Sequence, residues 1–337
     1  MSSADARPAA AAAGDQPARD DSPVTRVAAV DCGTNSIRLL VSEVRRDASG
    51  AVTALSDLDR RMEIVRLGEG VDRTGRLDSQ ALARTLAALE RYAAVAADLG
   101  AQRVRMVATS ASRDASNAHE FAAGVRAVLG TDPEVISGDE EALLSYRGAT
   151  AGVSDALAPS PRLVVDIGGG STEVVHGDGP RVLAARSVDV GCVRMTERHL
   201  RADPPTPQQV AAATADIDAA LALVAQTVPL DGAASLVGLA GSVTTVAALH
   251  LGLEHYDPAA IHGSRVPAAE VRRISDWLLG LPHAERAALG VMHPGRVDVI
   301  AAGALVLRRV VDRTGVAEVV ASEHDILDGI AWSLLEP

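Results

Sequence analysis

No lysine occurs in the 337 residues, so all 32 basic side chains are arginine. That excludes a Walker-type phosphate loop, Schiff-base lysine chemistry and the protein-kinase strand lysine. Aromatic residues make up only 2%: Phe121, Trp277, Trp332, Tyr92, Tyr146 and Tyr256. Stacking platforms for single-stranded nucleic acid are excluded with them. Two cysteines, Cys32 and Cys192, supply neither a disulfide framework nor a four-ligand zinc site, and the nine histidines contain no His-x-x-x-His pair. No apolar run approaches the roughly 20 residues of a membrane span. Residues 1–23, rich in Ala, Pro, Asp and Ser, lack the apolar core of a signal peptide, so a disordered tail on a cytoplasmic protein is expected.

What is present points to a large acidic α/β protein. With 44 acidic side chains against the 32 arginines the net charge is −12, which disfavours nucleic-acid polymers and anionic membranes as partners. A hydrophobic content of 47% sustains a sizeable core, and the length suggests about two domains.

Apolar strand patterns alternate with helical ones. Strands are expected at Arg26–Asp31, Ile37–Val44, Arg103–Thr109, Glu134–Ile136, Leu163–Ile167, Thr172–His176 and Leu236–Leu239. Helices are expected at Ser79–Asp98, from after Pro207 through Val228, and at Ser242–Leu249, with Val297–Val311 a helix buried almost all round. Ala158-Pro159-Ser160-Pro161 reads as a connector.

One repeat dominates. Val30-Asp31-Cys32-Gly33-Thr34-Asn35-Ser36 is echoed by Val165-Asp166-Ile167-Gly168-Gly169-Gly170-Ser171. Each copy is an apolar strand ending in Asp-x-Gly, then a small polar turn and a second strand, implying two similar domains that each offer one turn to a shared cleft. Small residues let backbone N–H groups approach an anion closely. Either turn alone is equally an ordinary tight hairpin; the matched pair shifts the reading toward phosphate. Glu173 replaces the last glycine of Gly-x-Gly-x-x-Gly, which disfavours a Rossmann dinucleotide site. Asp166 and Glu173 flank the second turn, where they can hold a hard divalent ion or simply be solvated, and Asp31 is a third such group.

Ser137-Gly138-Asp139-Glu140-Glu141 opens a helix. Ser137 and Glu140 fit a capping box and acids stabilise a helix N-terminus, yet adjacent positions point about 100° apart, so one of Glu140 and Glu141 can cap while the other faces a cleft as general base. Arg113, in Thr109–Asp114, sits where a strand gives way to a helix and can fork onto phosphate or form a surface ion pair. Gly241 and Ser242 lie in a third strand-to-helix turn, Leu239–Thr245, which can bind a substrate tail or simply make a capped helix start. His324-Asp325, near the C-terminus, is rejected as a metal phosphohydrolase dipeptide.

Taken together, AAVDCGTNSIRLLV, RLGEGV, ATSASRDASN, VISGDEEALLSYRGA, VVDIGGGSTEVV, DVGCVRMTE and LAGSVTTVAAL resemble the exopolyphosphatase and guanosine pentaphosphate phosphohydrolase family, within the sugar kinase, heat-shock chaperone and actin superfamily. The resemblance implies two actin-like (ribonuclease H-like) domains with the cleft between them. These would be residues 24–138 and 139–323, with a C-terminal helix at about 324–337 returning to the first. It implies Glu141 as the general base and Arg113 as a phosphate-holding arginine. Asp166 and Glu173 would be the Mg²⁺-associated carboxylates, with Mn²⁺ an alternative ion. Asp31, Gly33–Asn35, Gly168–Ser171, Gly241 and Ser242 would bind phosphate. The implied activity is hydrolysis of the terminal phosphate of inorganic polyphosphate. The alternatives are guanosine pentaphosphate as substrate, or a non-catalytic member that senses phosphates or nucleotides. A homodimer is compatible with the resemblance. The acidic chain has no evident basic track, so short polyphosphates are expected to be preferred. Leu327 stands where the family often has arginine.

Overall fold

Val27–Val30 and Leu163–Val165, the apolar runs that end in Asp31 and Asp166, are fully buried and lie in the interior of two separate sheets. The computed structural model describes residues 25–335 apart from residue 48, so the tail expected over residues 1–23 lies outside the described residues. The chain begins with β1 (Thr25–Cys32), β2 (Ser36–Arg46), β3 (Val52–Ile64), α1 (Val71–Thr74), α2 (Ser79–Asp98), β4 (Arg103–Ala108), α3 (Ser110–Asp114), α4 (Ala118–Leu129) and β5 (Glu134–Val135). After α5 (Gly138–Gly152) come β6 (Arg162–Ile167), β7 (Thr172–Asp178), β8 (Arg181–Val188), α6 (Cys192–Arg198), α7 (Pro207–Val224), β9 (Ser235–Leu239), α8 (Ala240–His250) and α9 (Pro258–Ile261). The remainder is β10 (Arg265–Pro267), α10 (Ala268–Gly280), α11 (His283–Ala287), α12 (Ile300–Thr314), β11 (Glu318–Ala321) and α13 (Ile326–Ser333).

The first sheet has the order β3-β2-β1-β4-β5 and the second β10-β11-β9-β6-β7-β8. In each, the repeat forms an antiparallel pair, β1 with β2 and β6 with β7, and the next strand, β4 or β9, adds in parallel. This is the α/β class expected, with two ribonuclease H-like sheets facing a cleft. Helices α2 and α4 cover one face of the first sheet, and α7, α8, α10 and α12 cover the outer face of the second. Between the sheets lie α5 and α13, packed on each other.

Several elements depart from the sequence reading. β3 was not anticipated, because its run of Asp57, Asp59, Arg60 and Arg61 hides the alternation; as an edge strand it carries these as ion pairs. α7 ends at Val224, where Val228 N closes a turn onto Val224 O. α8 starts at Ala240 rather than Ser242, because Ala240 takes a φ of 64° and turns the chain directly out of β9. α12 begins at Ile300, since Pro294–Arg296 forms a separate 3₁₀ turn whose Gly295 N donates to His293 Nδ1. Ser137 Oγ accepts from Glu140 N at 3.1 Å, but the Glu140 carboxylate pairs with Arg105, so the expected capping box is only half made.

The α5–α13 crossing is close because glycine stands on both sides. A Cβ on Gly148 would lie 1.7 Å from Asp325 O, and one on Gly329 2.0 Å from Leu144 O. Both neighbours are backbone, so no rotamer change can relieve the overlap. Gly148→Ala is expected to destabilise the fold by at least the ~1–3 kcal/mol typical of overpacking, read as a lower urea midpoint. Gly280→Ala, whose added methyl meets open space at the end of α10, leaves the midpoint unchanged or slightly raised.

Candidate active site

Antiparallel pairing places Asp31 opposite Arg38 across the first hairpin and Asp166 opposite Glu173 across the second, so the members of each pair share a sheet face. Arg38 donates to Asp31 Oδ2 through Nε (3.0 Å) and Nη2 (2.7 Å), and through Nη1 to Asp325, the N-cap of α13. Asp31 Oδ1 is buried and lacks a partner. Asp166 accepts from Ser145 of α5 at 2.7 Å. Glu141, on the first turn of α5, is 8% exposed and accepts from Arg113 Nη1 at 3.1 Å.

These side chains meet in a cleft between the sheets. Its lining includes Asp31, Gly33, Thr34 and Asn35, then Glu141, Asp166, Gly168, Gly169 and Ser171, and Gly241 and Ser242. Three expected residues do not line it. Arg113 is held by Glu141 and by the carbonyl of Ile136 (2.9 Å). Glu173 is 1% exposed and accepts from Ser187 at 2.6 Å, behind Asp166. Gly170 is turned toward Thr34 and Ser110. Among the described residues, the amides of Thr34, Asn35, Gly169, Gly170 and Ser171 have no protein acceptor. The first turn of α8 likewise has no side-chain cap, leaving donors at a helix N-terminus.

Burial dominates the electrostatics. It pushes Glu141 up to about 7 despite Arg113, with repulsion from Asp166 and Asp31 adding to it. It pushes Asp166 up to about 6, with Asp325 contributing, and raises Asp31 and Glu173 in the same direction. A carboxylate poised near neutral pH beside anion-binding turns is suited to general-base work.

Among the lining residues outside the expected set are Arg38, Ser110 and Arg296. Ser110 Oγ and Thr34 Oγ1 lie 2.8 Å apart across the cleft floor. Arg296 packs against Gly241, where a Cβ would come within 2.2 Å of its Cζ, and no carboxylate pairs with it among the described residues. Of the two cleft-lining arginines it is the one without a carboxylate among the described residues, Arg38 being engaged by Asp31 and Asp325; it donates to Thr245 Oγ1 at 3.4 Å and stands 6.0 Å from the Tyr256 ring centroid. Arg38 had a signal, an arginine inside the apolar run Ile37–Val41. Arg296, in a Gly/Pro loop, had none.

Known proteins can be set beside this geometry. Residues 43–336 match the Ppx/GppA phosphatase family. Exopolyphosphatase 2 of Mycobacterium tuberculosis (strain H37Rv) is 50% identical over 320 residues, which is 92% of this chain and 99% of that protein. The crystal structure of an exopolyphosphatase-like protein is 41% identical, with a TM-score of 0.88 over 92% of this chain and 98% of that one. The Aquifex aeolicus PPX-GPPA enzyme is 30% identical, with a TM-score of 0.76 over 92% of this chain and 100% of that one. Sheet pairing, cleft and sequence agree: the chain belongs to the Ppx/GppA phosphatase family.

Proposed function

We propose that the chain is an exopolyphosphatase, which removes the terminal phosphate of inorganic polyphosphate as orthophosphate. The observation that carries this is Glu141, buried, pushed up to about 7 and facing two glycine turns with free amides in one cleft. The name of the M. tuberculosis relative supports the same substrate.

In this reading the terminal phosphate sits between Gly33–Asn35 and Gly168–Ser171, with Arg296 and the start of α8 toward the departing chain. Water attacks the terminal phosphorus in line. Glu141 Oε accepts its proton, and the bond to the bridging oxygen breaks so that the electron pair leaves with the shortened chain. Free amides and Arg296 stabilise the charge that moves onto that oxygen. Arg113 keeps the Glu141 carboxylate oriented.

A divalent cation fits the donors presented. Among the described residues no three His, Cys, Asp or Glu side chains converge as a complete metal site. Mg²⁺ is commonly held by one or two carboxylates plus substrate phosphate oxygens and water. Asp31, with its unpaired buried Oδ1, and Asp166 provide such a pair; Glu173 stands behind them. When bound, the ion supplies charge neutralisation of the phosphate oxygens.

Guanosine pentaphosphate is a second reading, favoured by one feature. A cavity of about 330 Å³ opens from the cleft past Arg296 and is lined by Tyr256, Met292 and Arg60, room for a nucleoside. Phosphate release measured in parallel on tripolyphosphate, long polyphosphate and guanosine pentaphosphate separates the two; no release from any polyphosphate overturns the first.

Glu141→Gln is expected to lower kcat by about 10²–10⁴-fold while the protein still binds polyphosphate. In the wild type, activity should rise with pH through about 7 and then level, because the base must be deprotonated. If Glu140→Gln is the more damaging change, Glu141 is not the base.

The same burial has a stability cost. A carboxyl raised from 4.5 to about 7 contributes stability below its unfolded pKa that is lost as pH rises through the folded value. Glu141→Gln should therefore be more stable than wild type at pH 8, by up to about 3 kcal/mol at roughly 1.4 kcal/mol per unit, and not at pH 4. Urea titrations at the two pH values measure this.

Asp166→Asn should raise the Mg²⁺ concentration needed for half-maximal activity, with Glu173→Gln shifting it less. Equal metal dependence in wild type and Asp166→Asn would remove Asp166 from the metal site.

A further inference from the structure

The stretches RLGEGV (66–71) and DVGCVRMTE (189–197) bring no charged side chain to the reacting groups, yet they back the two phosphate turns. Gly68 N donates to Thr34 O at 2.8 Å, while Val65 N and Arg66 N donate to Asn35 O at 3.0 and 2.9 Å. On the other sheet, Cys192 N donates to Gly168 O at 3.0 Å, and Val193 N and Arg194 N to Gly169 O at 2.9 and 3.1 Å. The carbonyls of Thr34, Asn35, Gly168 and Gly169 are thus occupied by the backing segments, and the amides of Thr34, Asn35, Gly169, Gly170 and Ser171 remain for an anion.

The two backing segments also grip each other. Glu197 accepts from Gly70 N through both oxygens, at 3.0 and 3.2 Å. Asp72 accepts from Arg194 Nη1 at 2.6 Å and Arg198 Nη2 at 2.8 Å. Arg194 reaches furthest. Its Nε donates to Gly170 O at 2.7 Å and its Nη2 to Asp114 at 2.5 Å. One guanidinium, 12% exposed, therefore joins a turn carbonyl of the second sheet to two carboxylates of the first. Asp114 directly follows Arg113, the partner of Glu141.

We propose that Arg194 is a positioning residue that locks the Gly168–Ser171 turn to α1 and α3, fixing its separation from the Gly33–Asn35 turn and from the Arg113–Glu141 pair. The planar fork is essential to this: three acceptors lie in three directions around one guanidinium, which a single ammonium cannot reproduce. The proposal rests on the phosphate reading of the two turns.

The test compares wild type, Arg194→Gln, Arg194→Lys, Asp114→Asn and the Arg194→Gln/Asp114→Asn double variant. Polyphosphate kinetics are measured together with thermal unfolding in the presence and absence of tripolyphosphate. Arg194→Gln should lose about 10²-fold in kcat/KM, the scale of an ångström-sized misplacement, with kcat falling as well as KM rising. Arg194→Lys should recover about tenfold at most, and the double variant should be no worse than Arg194→Gln alone. A merely structural arginine would lower the unfolding temperature while the folded variants kept wild-type kcat and KM, which overturns the proposal; so does additivity in the double variant. If Arg194→Gln does not fold, Arg194→Lys and Asp114→Asn carry the same comparison. A wild type that hydrolyses no phosphoanhydride defeats the functional reading, and the clasp is then decided by binding alone. Tripolyphosphate stabilising wild type but not the variants supports it; equal stabilisation, or none in wild type, overturns it.

Discussion

The arrangement turns on buried negative charge. Asp31, Glu141, Asp166 and Glu173 are each less than 9% exposed, and all four are held above their ordinary carboxylate range by burial. Nearby positive charge is rationed: Arg38 is shared between Asp31 and Asp325, and Arg113 serves Glu141. A cleft of this kind attracts a polyanion only through groups that are not already neutralised. Those groups are the turn amides without a protein acceptor, the start of α8 and Arg296. The excess of acid is thus compatible with an anionic substrate, because burial raises these carboxyls toward neutral pH and so lowers the negative charge they carry.

The two copies of the repeat illustrate how one backbone is divided between two tasks. Equivalent hairpin positions carry Asp31 with Arg38 in the first sheet and Asp166 with Glu173 in the second. In the first, the pair is an internal ion pair that leaves one oxygen over. In the second, two like charges share a face, and Ser145 and Ser187 each take one oxygen. Backbone geometry is repeated; the sign of one side chain is not.

How far the site could be read from the sequence follows the same division. The turns, their aspartates and Glu141 are local, lying within short motifs where spacing fixes direction. The direction of Arg113 and Glu173 was less legible, since each depends on what the neighbouring element offers: Glu141 and the Ile136 carbonyl for one, Ser187 for the other. Arg296 is 55 positions beyond Gly241 and reaches it only through the fold. For the fold, buried strands such as β1 and β6 announce themselves as uninterrupted apolar runs, whereas β3, on an edge, is written in charges. Leu327, where an arginine was a family expectation, is 1% exposed in the apolar cluster between α13 and the first sheet.

Helix α13 lies 280 or more residues after β1 and β2, two of the strands it covers. Ile326, Leu327, Ile330 and Ala331 pack against Val27, Ala29 and Leu40, and Asp325 completes the coordination of Arg38. During synthesis the first sheet therefore emerges with part of one face uncovered and with Arg38 short of a carboxylate, and it stays so until α13 has left the ribosome. The first half can gather on α2 and α4 by then, but it cannot finish. The geometry at Asp31 is set in part by a residue translated long after it, so a chain interrupted before α13 would carry both glycine turns and Glu141 and still lack a properly formed cleft.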